Sequence, residues 1–309
     1  MTSASPVEPM ERSLEAQEPP EEGTRWALLA AIFESPVTVL AVVIIAIVLF
    51  MAVAGELVAP YGANEINVMN QLQPPNLTHL FGTDELGRDV FSRVIIAARV
   101  SVQVSLVSVA LALVMGVSIG LLSGYFGRWV DIVGMRSMDV IFSFPVMLLA
   151  LAIVAMLGPG LVPAMIAIGV VYTPYFARIT RASVLSVREE TYIRAARSIG
   201  ASDARILRLH VLPNVMAPII VQTSLSLAFA ILTEAALSFL GLGVQPPQPS
   251  WGRMLFDGRG FITEAWWMAV FPGLAIFLTV LALNLIGDAM RDALDPRQRS
   301  AIEARAGNL

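Results

Sequence analysis

Cysteine and lysine are both absent from this 309-residue chain, and each absence removes a chemistry. Without cysteine there are no disulfides, no thiol nucleophile and no thiolate metal site. Without lysine there is no phosphate-binding P-loop, because the Lys of G-x-x-x-x-G-K-[ST] is the group that reaches the β- and γ-phosphates. All twenty basic residues are therefore Arg, a bias that GC-rich coding explains without any function. Charge is scarce too: charged residues make up 14% of the chain, against about 25% in ordinary soluble domains. Histidine occurs twice, at His79 and His210. His79 and Asp84, two scattered ligands of mixed type, fall short of a metal site, and no metal or cofactor is expected.

What remains is apolar. Hydrophobic residues make up 56% of the sequence and mean hydropathy is +0.73, and the charges are clustered. That leaves runs near the ~20 apolar residues a helix needs to cross ~30 Å of hydrocarbon. The first 24 residues are the exception: Glu8, Glu11, Glu15, Glu18, Glu21 and Glu22 stand among prolines, as in a disordered acidic tail (1–24). That start is unlike a signal peptide. Residues 25–35 carry Trp26, Leu28, Leu29, Ile32 and Phe33 at helical spacing, which suits an interfacial helix.

Six spans follow: Val37–Ala54, Val100–Leu122, Val140–Leu157, Leu161–Phe176, Val215–Leu240 and Met268–Ile286. Between the first two, Thr83 is placed to N-cap a helix, with Asp84 and Glu85 favouring its positive end. Leu86, Val90, Phe91, Val94 and Ile95 would share one face of it. Gly116, Gly120 and Gly124 recur every fourth residue, a spacing that lets helices pack closely. The expected organisation is therefore a first span with its extracytoplasmic segment (36–99), a core (100–287) holding a polar loop (178–213), and a charged tail (288–309). The fold class is an all-α membrane protein with six transmembrane helices.

Orientation follows from the arginines, which concentrate on cytoplasmic flanks. With the N-terminus inside, fifteen of the twenty fall inside and five outside: Arg88, Arg93, Arg99, Arg253 and Arg259. The bias places both termini and the 178–213 loop in the cytoplasm. That loop alone holds seven arginines. It reads as two short helices: Tyr192 to Ile199, with Ala195, Ala196 and Ile199 as a small smooth face beside Arg194 and Arg197, stopped at Gly200. A second helix is capped by Ser202, carries Arg205, Arg208 and His210, and ends at Leu212-Pro213. Small residues allow a partner to dock closely, and arginines can fix its angle through carboxylates.

At these residues the sequence resembles the inner-membrane permeases of ATP-binding cassette importers, whose signature loop runs Glu-Ala-Ala, three residues, Gly, nine residues, Ile, one residue, Leu-Pro. The match begins at Ala195; Arg194 stands where the pattern has Glu and His210 where it has Ile, both as in the dipeptide and oligopeptide branch. Three further blocks are similar to the second permease subunit of that branch: His79 to Arg93, Leu237 to Arg253, and Asn284 to Arg297. The resemblance implies a six-span type I importer fold that forms half of a translocation path by alternating access. The implied partners are a homologous permease in a heterodimer, two ATPase subunits and an extracytoplasmic substrate-binding protein. It also implies a peptide substrate, with nickel, glutathione or opines as alternatives, and no nucleic acid. The chain itself would perform no bond chemistry. Glu234, inside the fifth span, is costly there unless paired or facing water. A place in the path or its gate and a buried structural hydrogen bond both stay open for it; an ion-coupled carrier would titrate this group, though such carriers show an internal repeat and a relay of ionisable groups.

Overall fold

The computed structural model describes residues 35–294. The expected acidic tail, nearly all of the interfacial helix and the end of the C-terminal tail lie outside them. Among the described residues the fold is helices and loops, with one isolated antiparallel bridge between Thr83 and Asp89. Five helices are long and apolar enough to cross a membrane: α1 (Pro36–Val58), α2 (Val90–Phe126), α5 (Leu161–Val187), α8 (Met216–Phe239) and α10 (Trp267–Leu294). The pair α3 (Arg128–Phe142) and α4 (Val146–Leu157), bent by 91°, makes a sixth if the two helices together form one span. The expected third span, Val140–Leu157, is thus corrected to two helices that break after Phe142. Val140 to Leu157 is apolar but for Ser143, and Pro145 sits at the start of α4, where it has no N–H to continue the ladder from α3. The remaining helices are short: α6 (Thr191–Ser198), α7 (a run from Asp203 to Asn214) and α9 (Trp251–Gly258).

α1 has a mean hydropathy of 3.2 over its best window, of which only 17% is buried within the chain; Val53 and Leu57 are 86% and 89% exposed. Side chains of this kind on an outer face belong in lipid. α5 is the most enclosed of the spans, and its partner is α2. The three glycines of the second span lie along that seam. A Cβ on Gly116 would stand 2.5 Å from the Thr173 carbonyl, one on Gly120 2.5 Å from the Ala177 carbonyl, and one on Gly124 2.8 Å from the Val184 side chain. Only glycine allows so close an approach, and dispersion contacts along the seam replace the hydrophobic drive that lipid does not supply.

α2 begins ten residues before the expected second span. Thr83 caps no helix; the N-cap is Asp89, whose carboxylate accepts from the Ser92 N–H at 2.7 Å. The reason is Gly87, which takes φ +73° and has no room for a Cβ against the Asn67 carbonyl, so residues 83–89 fold as a turn. Asp84 closes that turn by accepting from the Leu86 and Arg88 amides, both at 2.9 Å, and from Arg88 Nε at 2.6 Å. Leu86, placed on the helix face from its spacing, lies in the turn; Val90, Val94 and Ile95 are buried and Phe91 is half-buried. At 37 residues, α2 is about 55 Å long and runs from this turn to the other end of the bundle.

Candidate functional site

The polar stretch after the fourth span is partly helix: α5 continues to Val187, so the loop proper begins at Arg188. The extension is pinned by charge. Arg181 reaches Asp131 on α3 through two nitrogens, one at 2.6 Å; Arg178 bonds Asp139 at 2.7 Å and lies over the Phe142 ring. Arg188 donates to the Gly124 carbonyl at 2.7 Å.

α6 and α7 then fold back beneath the bundle. Ile193 and Ile206 are fully buried and join the same apolar cluster as Tyr125, Val184, Val211 and Val215. The loop is thereby packed into the core of the protein. Gly200 takes φ +83° between the two helices, the left-handed stop expected there. Ser202 occupies the N-cap position of α7, but its side chain makes no capping hydrogen bond. Pro213 does not end α7 directly. Residues Leu207–Val211 widen into a π turn, with the Leu212 N–H bonded to the Leu207 carbonyl, and the chain passes through Pro213 to break at Val215. A proline cannot donate into an α ladder, and one wider turn absorbs the missing bond.

The exposed face differs slightly from the expected one. Ala196 is half-buried against the cluster, so the free stripe of α6 is Tyr192, Ala195 and Ile199, the last 86% exposed. Leu209 of α7 is 57% exposed, and the Tyr192 and His210 rings lie 6.5 Å apart. Arg194, Arg205 and Arg208 are exposed and make no ion pair among the described residues. Arg197 is different: it donates to the Tyr125 hydroxyl at 3.2 Å and its guanidinium faces that ring, and the hydrogen bond to the phenol raises its already high pKa. Tyr125 in turn donates to Asp203 at 2.6 Å. One phenol at the end of α2 therefore ties α6 to α7. Neither Tyr125 nor Asp203 was visible in the spacing, because they are 78 residues apart.

Glu234 lies elsewhere, near the α9 end of the bundle. It is fully buried. Its Oε1 accepts from Ser238 at 2.8 Å, and the Ser101 and Ser250 hydroxyls face the same carboxyl. Both of those oxygens accept backbone N–H groups, from Trp251 and Arg253, and the second carboxyl oxygen of Glu234 has no hydrogen-bond partner among the described residues. Trp251, fully buried, also donates from its indole to the Val94 carbonyl at 2.9 Å. Close packing completes the joint: a Cβ on Gly252 would stand 2.6 Å from Ala235 Cα.

The family described as binding-protein-dependent transport system inner membrane component matches residues 116–300, more than half of the chain. The chain belongs to this family. A second match, to the N-terminal TM domain of oligopeptide transport permease C, covers residues 27–75. Among relatives, the dipeptide transport system permease protein DppC of Alkalihalophilus pseudofirmus is 47% identical over 267 residues, covering 86% of this chain and 88% of the relative. The probable D,D-dipeptide transport system permease protein DdpC of Escherichia coli is 42% identical over 281 residues, covering 90% and 94%. The glutathione transport system permease protein GsiD of Pectobacterium atrosepticum is 44% identical over 257 residues, covering 82% and 85%. In fold the chain is similar to the MetNI methionine ABC transporter in an inward facing conformation, with a TM-score of 0.53 and 18% identity over 66% of this chain and 98% of that one. The protein is a multi-pass inner-membrane permease of an ATP-binding cassette importer, working with ATPase and substrate-binding components. In this permease the three blocks outside the loop have structural work to do. The Gly82-Thr83-Asp84 block folds the turn before α2 and offers the Thr83 carbonyl to the Trp267 indole at 3.0 Å; the Ser250-Trp251-Gly252 block locks α9 onto α2 and α8; and Gly287 lets α10 press on Ser224.

Proposed function

We propose that this permease forms one half of a heterodimeric path for peptides, with the 188–215 loop as the surface on which an ATPase subunit docks. The dipeptide and oligopeptide names of its relatives and of the matching N-terminal domain support the peptide reading. Both termini and the loop face the cytoplasm, as the arginine bias indicates, and the chain performs no bond chemistry. The observation that carries the docking role is the two-sided build of the loop. Its inner side is buried into the bundle through Ile193 and Ile206, and its outer side leaves an apolar stripe beside three arginines that make no ion pair among the described residues. A partner offering carboxylates around a shallow apolar cleft fits that face, and movement of the partner is passed to α2 through Tyr125. Glu234 serves the structure, holding the α9 joint.

The test uses Gly200→Val and Ala195→Glu in the complete importer. Nothing lies within 4 Å of a Cβ at Gly200, so Val there is strained through its positive φ alone; Ala195 is exposed, so Glu there alters the docking face and leaves the core intact. Membrane insertion should stay near normal, while ATPase association and uptake fall together. Full association and uptake in both variants would remove the loop from the coupling role.

A further inference from the structure

At the end of α2 opposite the docking loop lies a cavity of about 740 Å³, within the ~300–1,000 Å³ range of small-molecule sites. Its wall, residues 59–65, is built in advance. The Tyr61 N–H donates to Ser92 Oγ at 3.1 Å, the buried Arg93 holds the Ala63 carbonyl at 2.8 Å, and the Asn64 amide, turned toward it, donates to the Pro247 carbonyl at 2.8 Å. The cavity opens above the α2–α5 seam, with Gln103 and Leu161 among its lining residues. Its charges are Arg99, Glu56 and Glu65, with Gln248 supplying a neutral amide. Arg99 and Glu56 pair at 3.1 Å, yet their side chains remain 60% and 69% exposed. A pair this wet is weakly held, so a ligand bearing both charges can replace each partner without leaving either group bare.

We infer that this cavity is a receiving site for the two charged ends of a peptide. Arg99 takes the α-carboxylate through its planar fork, and Glu56, with Glu65 nearby, takes the α-ammonium. The site deepens the peptide reading above and rests on it and on the orientation given there. Arg99 stands on α2 and Glu56 on α1, Glu65 stands on the braced wall, and the amides of Gln103 and Gln248 can bond a peptide backbone without demanding particular side chains.

The experiment uses the complete importer in proteoliposomes, with saturating binding protein loaded with free-acid, C-amidated or N-acetylated dipeptides that it holds equally well. Uptake of the free-acid dipeptide by the wild type comes first; its absence would overturn the peptide reading itself. Arg99→Gln should slow the free-acid peptide about tenfold, the scale of one charged hydrogen bond, and leave the C-amide at its wild-type rate. Glu56→Gln should do the same with the N-acetylated peptide as the insensitive one. Arg99→Lys, which keeps the charge, should retain the preference for a free carboxylate. A uniform loss across all three peptides in correctly inserted variants, whether from a loosened fold or from weakened binding-protein docking, would overturn the site, as would unchanged rates.

Discussion

Tyr125→Phe removes a single oxygen from the point where α2 meets the docking loop. The ring stays, and with it the packing in the apolar cluster and the face that Arg197 covers. Two hydrogen bonds to charged groups are lost, at 3.2 Å from Arg197 and 2.6 Å to Asp203. Buried, bonds of that kind are worth about 1.5–3 kcal/mol each. Arg197 and Asp203 are exposed, so water takes over part of each bond, and surface pairs run to about 0.2–1 kcal/mol. A combined loss of roughly 1–2 kcal/mol shifts the balance between a tied and a loosened loop by about 5–30-fold. Ile193 and Ile206 still anchor the helices, so the loop remains folded but follows α2 less closely. In the reconstituted importer, peptide taken up and ATP hydrolysed should be measured together. The expected result is normal assembly, continued hydrolysis and several-fold less peptide per ATP, with Asp203→Asn showing a smaller effect in the same direction. Wild-type stoichiometry in Tyr125→Phe would show that the phenol carries no coupling.

Three further outcomes follow from the packing and the charges. Gly120→Leu drives a side chain into the Ala177 carbonyl and Thr180; overpacking costs about 1–3 kcal/mol or more, so the detergent-solubilised protein should melt several degrees lower and assemble poorly, while Gly260→Leu, with open space around it, should do neither. Burial, and then the neighbouring Asp84 charge, push the Glu85 carboxyl above the usual range, so the wild type gains stability as pH falls through that raised folded-state pKa; Glu85→Gln should match or exceed wild-type stability at neutral pH and lose that part of the pH dependence in a thermal-shift series. For topology, the absence of native cysteine makes labelling clean: an impermeant maleimide added outside intact cells should modify Thr263→Cys, which is exposed, and leave Ser202→Cys unmodified, and the opposite pattern would invert the orientation.

The spans were legible because hydropathy over about twenty residues is a local property, and Pro36 and Gly158 mark ends that the chain also uses. Their lengths were less so: α2 and α5 extend past the apolar runs because contacts with Tyr61, Asp131 and the docking loop support helix beyond the hydrocarbon. The break between α3 and α4 had Pro145 as its signal, outweighed by the apolar residues around it. Thr83 followed by two acids looks like a helix start until Gly87 is weighed, since a left-handed residue four positions on is incompatible with a first turn. In the docking loop, Gly200 and the helix pair were read from local spacing. The half-burial of Ala196 and the hydroxyl of Tyr125 between Arg197 and Asp203 depend on how distant helices meet, and nothing in the spacing of the loop encodes that.

Docking on this loop sets the outer stripe of α6 against the ATPase. Ile199 is the most exposed apolar residue of that stripe, so Ile199→Cys in this cysteine-free chain places one reactive group at the proposed contact. Short bifunctional cross-linking in membranes containing the assembled importer should join this subunit to an ATPase subunit in high yield and arrest uptake, with Thr263→Cys as the unreactive control. An Ile199→Cys chain that stays uncoupled to the ATPase in an importer that transports at the wild-type rate would remove α6 from the ATPase contact.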